Sequence, residues 1–281
     1  MMSGQSGTSS SLQLKIRLLS DLHLEASPFQ VRRGGEDLLI LAGDIATHTE
    51  SVAVARQFAE TCELPVLMIA GNHRDQEHPA HTWEGTLDDI QRAADHVDFV
   101  RPGKVTFLEV QVVVYKGVRF VGATLWTDLK LFGDDPYVRR LVSHQLHDYE
   151  SIYLDSGRNV TTEHVMQRHR ASLAFISDRL ADTFDGPTVV VTHHAPSMLS
   201  VAEKYRTSRI SAAFASRMDD LIAHHSPRPL GPRSHPFVIR LPLGQHARHF
   251  RPAVAGRNIA QQFGRGSAFA WSLRGSEAAR F

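Results

Sequence analysis

Six side chains carry the chemistry available to this sequence: Asp21 and His23, Asp44, Asn72 and His73, and His193. Asp-x-His puts a carboxylate oxygen and an imidazole nitrogen about two residues apart on a turn, where both can face one ion. Asp44 brings a second carboxylate able to bridge two ions. Asn72 offers a neutral, hard amide oxygen, and His193 a further imidazole. Such mixed oxygen and nitrogen ligation suits Mn²⁺, Fe or Zn²⁺. Taken singly each fragment is ordinary, since Asp behind a strand commonly serves as a turn or cap residue and Gly71-Asn72 tolerates positive φ. The grouping is what points to metal chemistry, together with 17 histidines in 281 residues.

The elements that must position these residues can be read from the apolar runs. Leu12–Ser20, Asp37–Ala42, Pro65–Ala70 and Thr188–Thr192 read as buried strands, each ending at one of the polar groups. Glu50–Cys62 carries Val52, Ala55, Phe58 and Ala59 at helical spacing, so the start of the chain alternates strand, helix, strand as α/β folds do. Open α/β sheets place ligand sites at the carboxyl ends of their strands, so four strand ends converge on one crevice. Val105–Tyr115 and Gly117–Ala123 predict two strands meeting around Lys116-Gly117. Helices are predicted over Tyr137–Tyr149, Thr162–Ala181 and Ala212–Ala223. Residues 1–11, rich in Ser and Gly, read as a flexible tail without the features of a secretory signal. Residues 12–281 read as one domain with a helical insertion near 130–183.

Composition narrows the function classes. Lys+Arg 31 against Asp+Glu 30 leaves a net charge of +1, and there is no Lys/Arg-rich stripe with interleaved aromatics, so no nucleic-acid partner is expected. No apolar run approaches the roughly 20 residues that span a bilayer, so no membrane partner is expected. Cys62 is the single cysteine, which fits a reducing cytoplasm. The sequence carries no signal of oligomeric state. His78, His81, His144, His147, His164, His169, His224 and His225 are expected on solvated surface. His194 could hold a ligand in place, and Asp128 could orient a ligand or start a loop.

LLSDLHLE (Leu18–Glu25), LAGDIA (Leu41–Ala46), IAGNHR (Ile69–Arg74) and VVVTHHAPS (Val189–Ser197) resemble the calcineurin-like metallophosphoesterase family in order and spacing, over about two thirds of the chain. GVRFVGATLWTD (Gly117–Asp128) is similar to the segment that bacterial members carry before a helical insertion. The resemblance implies a four-layer α/β/β/α sandwich around two divalent metal ions. It implies that Asp21 and His23 hold the first ion, that Asp44 bridges, and that Asn72 and His193 hold the second. His73 would then be the catalytic residue, a general acid beside the phosphate of a small phosphomonoester or phosphodiester substrate. The family usually has an acidic residue where Arg74 stands.

The resemblance breaks near the end. The family's Gly-His-x-His element, which supplies two more metal ligands, is absent after His193. In its place SPRPLGPRSHPFVIRLPLGQHARHFRP (Ser226–Pro252) is rich in Pro and Arg and is not expected to form the missing buried strands readily. Codons permitted for Pro229–Phe237, CCT CTG GGT CCA CGG TCA CAC CCA TTC, read one base later as Leu-Trp-Val-His-Gly-His-Thr-His. The absent element can thus be encoded in the shifted frame, and the expectation is that two compensating frameshifts bracket the segment from about Pro229 to about Pro252; resequencing the gene tests this. The expected function is metal-dependent phosphoester hydrolysis, weakened in this chain. The alternative is a catalytically silent member of the fold that acts as a binding protein.

Overall fold

A computed structural model describes residues 13–72, 81–94, 101–225, 236–239 and 269–274. The expected tail at 1–11, His73, Arg74, His78 and most of the Pro/Arg-rich segment lie outside the described residues. Two sheets are present among the described residues. In the first, strands β1 (Gln13–Leu19), β2 (Leu38–Ala42), β3 (Val66–Ile69) and β4 (Val105–Phe107) run parallel, and β9 (Phe269–Arg274) joins the free side of β1 antiparallel. In the second, β5 (Gln111–Tyr115) pairs antiparallel with β6 (Val118–Ala123), which is followed in parallel by β7 (Thr188–Thr192) and β8 (Pro236–Ile239).

Strand alternation stacks these sheets. Leu14, Ile16 and Leu18 of β1 and Leu38, Ile40 and Ala42 of β2 share one apolar cluster with Val118 and Phe120 of β6 and Val189 and Val191 of β7. The intervening residues face outward. Leu39 and Leu41 pack on Val52, Ala55 and Phe58 of helix α1 (Glu50–Cys62) and on Ile90 of α2 (Trp83–Ala93). Val121 and Val190 pack on Ile176 of α5 (Thr162–Ala181) and on Leu221 of α6 (Asp219–His225). Strands covered on both faces must be apolar at nearly every position, which is why they read as continuous runs. The result is the four-layer α/β/β/α sandwich.

Between β6 and β7 the chain forms α3 (Pro136–Gln145), the one-turn α4 (Asp148–Ser151) and α5. Asp135 caps α3 by accepting from the Tyr137 N–H, with Pro136 in the first turn where its missing N–H costs nothing. Val138, Val142, Tyr149 and Met166 from this segment pack with Trp83, Trp126 and Ala195 in a separate apolar cluster.

Five local readings differ from the sequence expectation, the first being Tyr137–Tyr149, which breaks at Leu146 and His147 into α3 and α4. Val105–Tyr115 is not one strand: it divides between the sheets, turning at Glu109 and Val110, whose φ is 52°. The Glu109 carboxylate accepts from the Ala70 N–H (3.2 Å), the Thr124 N–H (2.8 Å) and the Thr124 hydroxyl (2.8 Å), which ties the turn to both sheets. Ala212–Ala223 is not one helix: a short 3-10 helix ends at Ala213, and the chain then passes beside the stretch after β7, where Ala195 N–H donates to Phe214 O and Ser216 N–H to Ala195 O, before α6 begins. Pro236–Ile239 does form a strand, against the expectation for the Pro/Arg-rich segment. Its Phe, Val and Ile favour extended backbone, and Pro stands first, where a strand tolerates it. His169 is buried at 3% exposure, not solvated, with Nδ1 3.3 Å from Trp126 O.

Candidate metal centre

The loops that follow β1, β2 and β3 are locked side by side by backbone hydrogen bonds. Asp21 N–H donates to Gly43 O (3.1 Å), His23 N–H to Asp44 O (3.2 Å) and Asp44 N–H to Ala70 O (3.2 Å). Asp21, His23 and Asp44 have φ of 54°, 47° and 56°, a region that costs ordinary residues energy and persists where surrounding structure enforces it. Glycine is required between them. A Cβ on Gly43 would lie 2.5 Å from His193 Nδ1, and one on Gly71 would lie 2.6 Å from Asp44 N; both residues have positive φ.

These loops gather the side chains expected from the sequence. Single ligand atoms of Asp21, His23 and Asp44, all buried, lie within 4.8 Å of one another. Asp44 Oδ2 is 3.9 Å from His23 Nε2 on one side and 3.3 Å from His193 Nε2 on the other. His193 Nε2 is also 2.9 Å from Asn72 Oδ1. Four of the five come from the first sheet, whereas His193 reaches across from the end of β7. His73 lies outside the described residues.

The electrostatics are those of a cation site. His193 is fully buried, which by itself lowers its pKa, but the carboxylates of Asp44 and Asp21 outweigh burial and push it up to about 9. Its Nδ1–H donates to Ala42 O at 2.9 Å, which aims Nε2 at Asp44 and Asn72. Buried carboxylates need a compensating positive charge, which a protonated imidazole or a bound cation supplies. The oxygen and imidazole donors and their burial suit a divalent cation, and Asp21, His23 and Asp44 are placed so that they could hold one.

Further residues orient these donors. Ser20 Oγ donates to Asp21 Oδ2. Glu25 Oε1 is 3.1 Å from His23 Nδ1, the carboxylate–imidazole pairing that fixes which ring nitrogen faces a metal. Asn72 Nδ2 donates to Asp148 Oδ2 at 3.0 Å. Thr124 accepts from Gly71 N–H through its hydroxyl (3.1 Å), and Glu109 holds Thr124 from beneath. His194 stacks on Trp126 (centroids 5.3 Å apart) and meets the His193 ring edge-on. Asp128 Oδ1 accepts from Lys130 N–H, closing a loop. Glu25, Glu109 and Asp148 were not identifiable as supports from the sequence: Glu109 sits at a sheet crossing that periodicity does not reveal, and Asp148 at the start of a single helical turn.

The calcineurin-like phosphoesterase family model matches residues 14–226, ending just before Pro229. None of the curated proteins compared is significantly similar in sequence. Among solved structures, the phosphopantetheinyl hydrolase PptH of Mycobacterium tuberculosis is similar with a TM-score of 0.50 and 15% identity, over 82% of this chain and 90% of that one. TT1561 of Thermus thermophilus aligns with a TM-score of 0.39 and 13% identity, over 76% of this chain and 78% of that one. The match over residues 14–226 takes in every metal-ligand candidate described above, and on that ground the chain belongs to the calcineurin-like phosphoesterases, metal-dependent hydrolases of phosphoester bonds.

Proposed function

We propose that this chain hydrolyses small phosphomonoesters or phosphodiesters at a dinuclear centre of Mn²⁺, Fe or Zn²⁺ in the cytoplasm. The observation that carries the proposal is the Asp44 carboxylate, set between His23 and His193 so that one side chain serves both halves of the donor set. Ions bound there would supply Lewis acidity toward the phosphoryl oxygens and lower the pKa of an attacking water. Asp21 and His23 hold one half and Asn72 and His193 the other. The buried loops keep bulk water from competing, and Glu25 and Ala42 O fix the two imidazole orientations. His73, next in the chain after Asn72, gives its proton to the departing alkoxide, a role worth roughly 10²–10⁴ in rate. His73→Gln is therefore expected to lower kcat by that factor while leaving the number of bound ions unchanged.

A second reading, a silent member of the fold that binds without turnover, is favoured by the end of the family match at residue 226 and the missing Gly-His-x-His ligands. Elemental analysis after Mn²⁺ loading and desalting, followed by assays on phosphomonoesters and phosphodiesters, separates the two. The experiment uses the chain as given and a version in which the segment from Pro229 is replaced by its shifted-frame reading. The chain as given is expected to retain fewer ions and turn over slowly, and the replaced version to retain two and turn over faster. No retained ion and no hydrolysis by either version would overturn the proposal.

A further inference from the structure

The side-chain amide of Asn72 has two ends of nearly equal shape and opposite chemistry: Oδ1 can face a cation, whereas Nδ2 repels one. Its own rotamer does not choose between them. In this structure Nδ2 donates to Asp148 Oδ2 at 3.0 Å, and Oδ1 is thereby turned toward His193 Nε2, 2.9 Å away and itself 3.3 Å from Asp44 Oδ2. A carboxylate accepts and does not donate, so only the nitrogen end of the amide can face Asp148. Asp148 is buried at the start of α4, and Tyr149 of that turn and Ile152 just after it are anchored in the cluster with Trp83 and Trp126.

We propose that Asp148 is a positioning residue that sets the sense of the Asn72 amide, and so couples the helical segment between β6 and β7 to the His193 half of the centre. The inference rests on the reading that Asn72 and His193 hold a cation. An asparagine in place of Asp148 keeps size and shape but removes the constraint, since its own amide can donate to Asn72 Oδ1 and turn Nδ2 inward. Exchanging the two residues rebuilds the pair in reverse: the new amide donates, and the new carboxylate presents its other oxygen to the cation with the same total charge.

Zn²⁺ titration against a chromophoric chelator in the full chain reads this out. Asp148→Asn is expected to weaken Zn²⁺ binding about 10–100-fold, the usual cost of losing an orienting partner, and Asn72→Asp combined with Asp148→Asn to restore it to within a few-fold of wild type. A residue that merely supported the fold would not be rescued by the exchange. Wild-type affinity in Asp148→Asn, or no recovery in the double variant, overturns the proposal. A readout without metal separates this failure from failure of the metal reading. The Asn72 Nδ2 protons, identified by NMR through their loss in Asn72→Ala, should exchange with water at least about tenfold faster in metal-free Asp148→Asn than in wild type, as expected for losing a hydrogen bond to a charged acceptor. Unchanged exchange overturns the proposal. Accelerated exchange in a chain whose wild type binds no Zn²⁺ sinks the metal reading and leaves the orienting role of Asp148 standing.

Discussion

At the scale of single residues, the centre depends on backbone conformations that few side chains tolerate. Gly71 has a φ of +78°, and a Cβ there would meet the Asp44 backbone, so Gly71→Ala is expected to cost at least about 1–2 kcal/mol from the left-handed conformation alone. Thermal unfolding checks the stability loss, and chelator competition checks the accompanying loss of metal affinity. His169 allows a pH prediction away from the site. Burial holds its pKa below the ordinary 6.5, despite the opposing effect of Asp128. As pH falls below 6.5 the unfolded chain takes up a proton that the folded chain refuses, so stability declines on acidification. His169→Gln should flatten denaturant-derived stability between about pH 7 and 5; an unchanged slope would count against this account. Asp21, His23, Asp44, Asn72 and His193 were legible because each follows an apolar strand. Glu25, Glu109 and Asp148 were not, because a carboxylate that orients another side chain has no characteristic spacing from it.

At the scale of elements, burial decides what was legible. The central strands announce themselves as apolar runs because both faces are covered, whereas β5 is half exposed and gives only a partial alternation. Phe120 of β6 is fully buried between the sheets, and Phe120→Ala is expected to cost about 3–5 kcal/mol by leaving a cavity there. Val114 of β5, 54% exposed, should cost well under 1 kcal/mol on the same change. Urea unfolding of both variants makes the comparison. The crossing of Val105–Tyr115 from one sheet to the other was hidden because both halves are apolar and β-branched, and the turn between them rests on long-range bonds to Ala70 and Thr124. The break in Ala212–Ala223 was hidden likewise: Phe214 and Ser216 satisfy Ala195, a partner that local periodicity does not show.

At the scale of the whole molecule, the centre is a joint between the sheets, since Asp21, His23, Asp44 and Asn72 follow strands of one and His193 a strand of the other. A cation held by both must be released when the sheets separate, so saturating Mn²⁺ should raise the unfolding temperature, by about 2.7 kcal/mol of stability at 100 times Kd, and chelation should reverse it. Asp44→Asn should abolish the shift, and His225→Gln should leave it intact. The pairing of β1 has a consequence of another kind. β1 ends at Leu19 and its neighbour β9 begins at Phe269, so during synthesis on the ribosome one whole side of β1 waits for almost all of the chain to be made. Until then, or in any product cut before Phe269, β1 presents an open row of backbone donors and acceptors to other nascent chains. A truncation at residue 268 should accordingly be recovered as aggregates or as strand-exchanged assemblies.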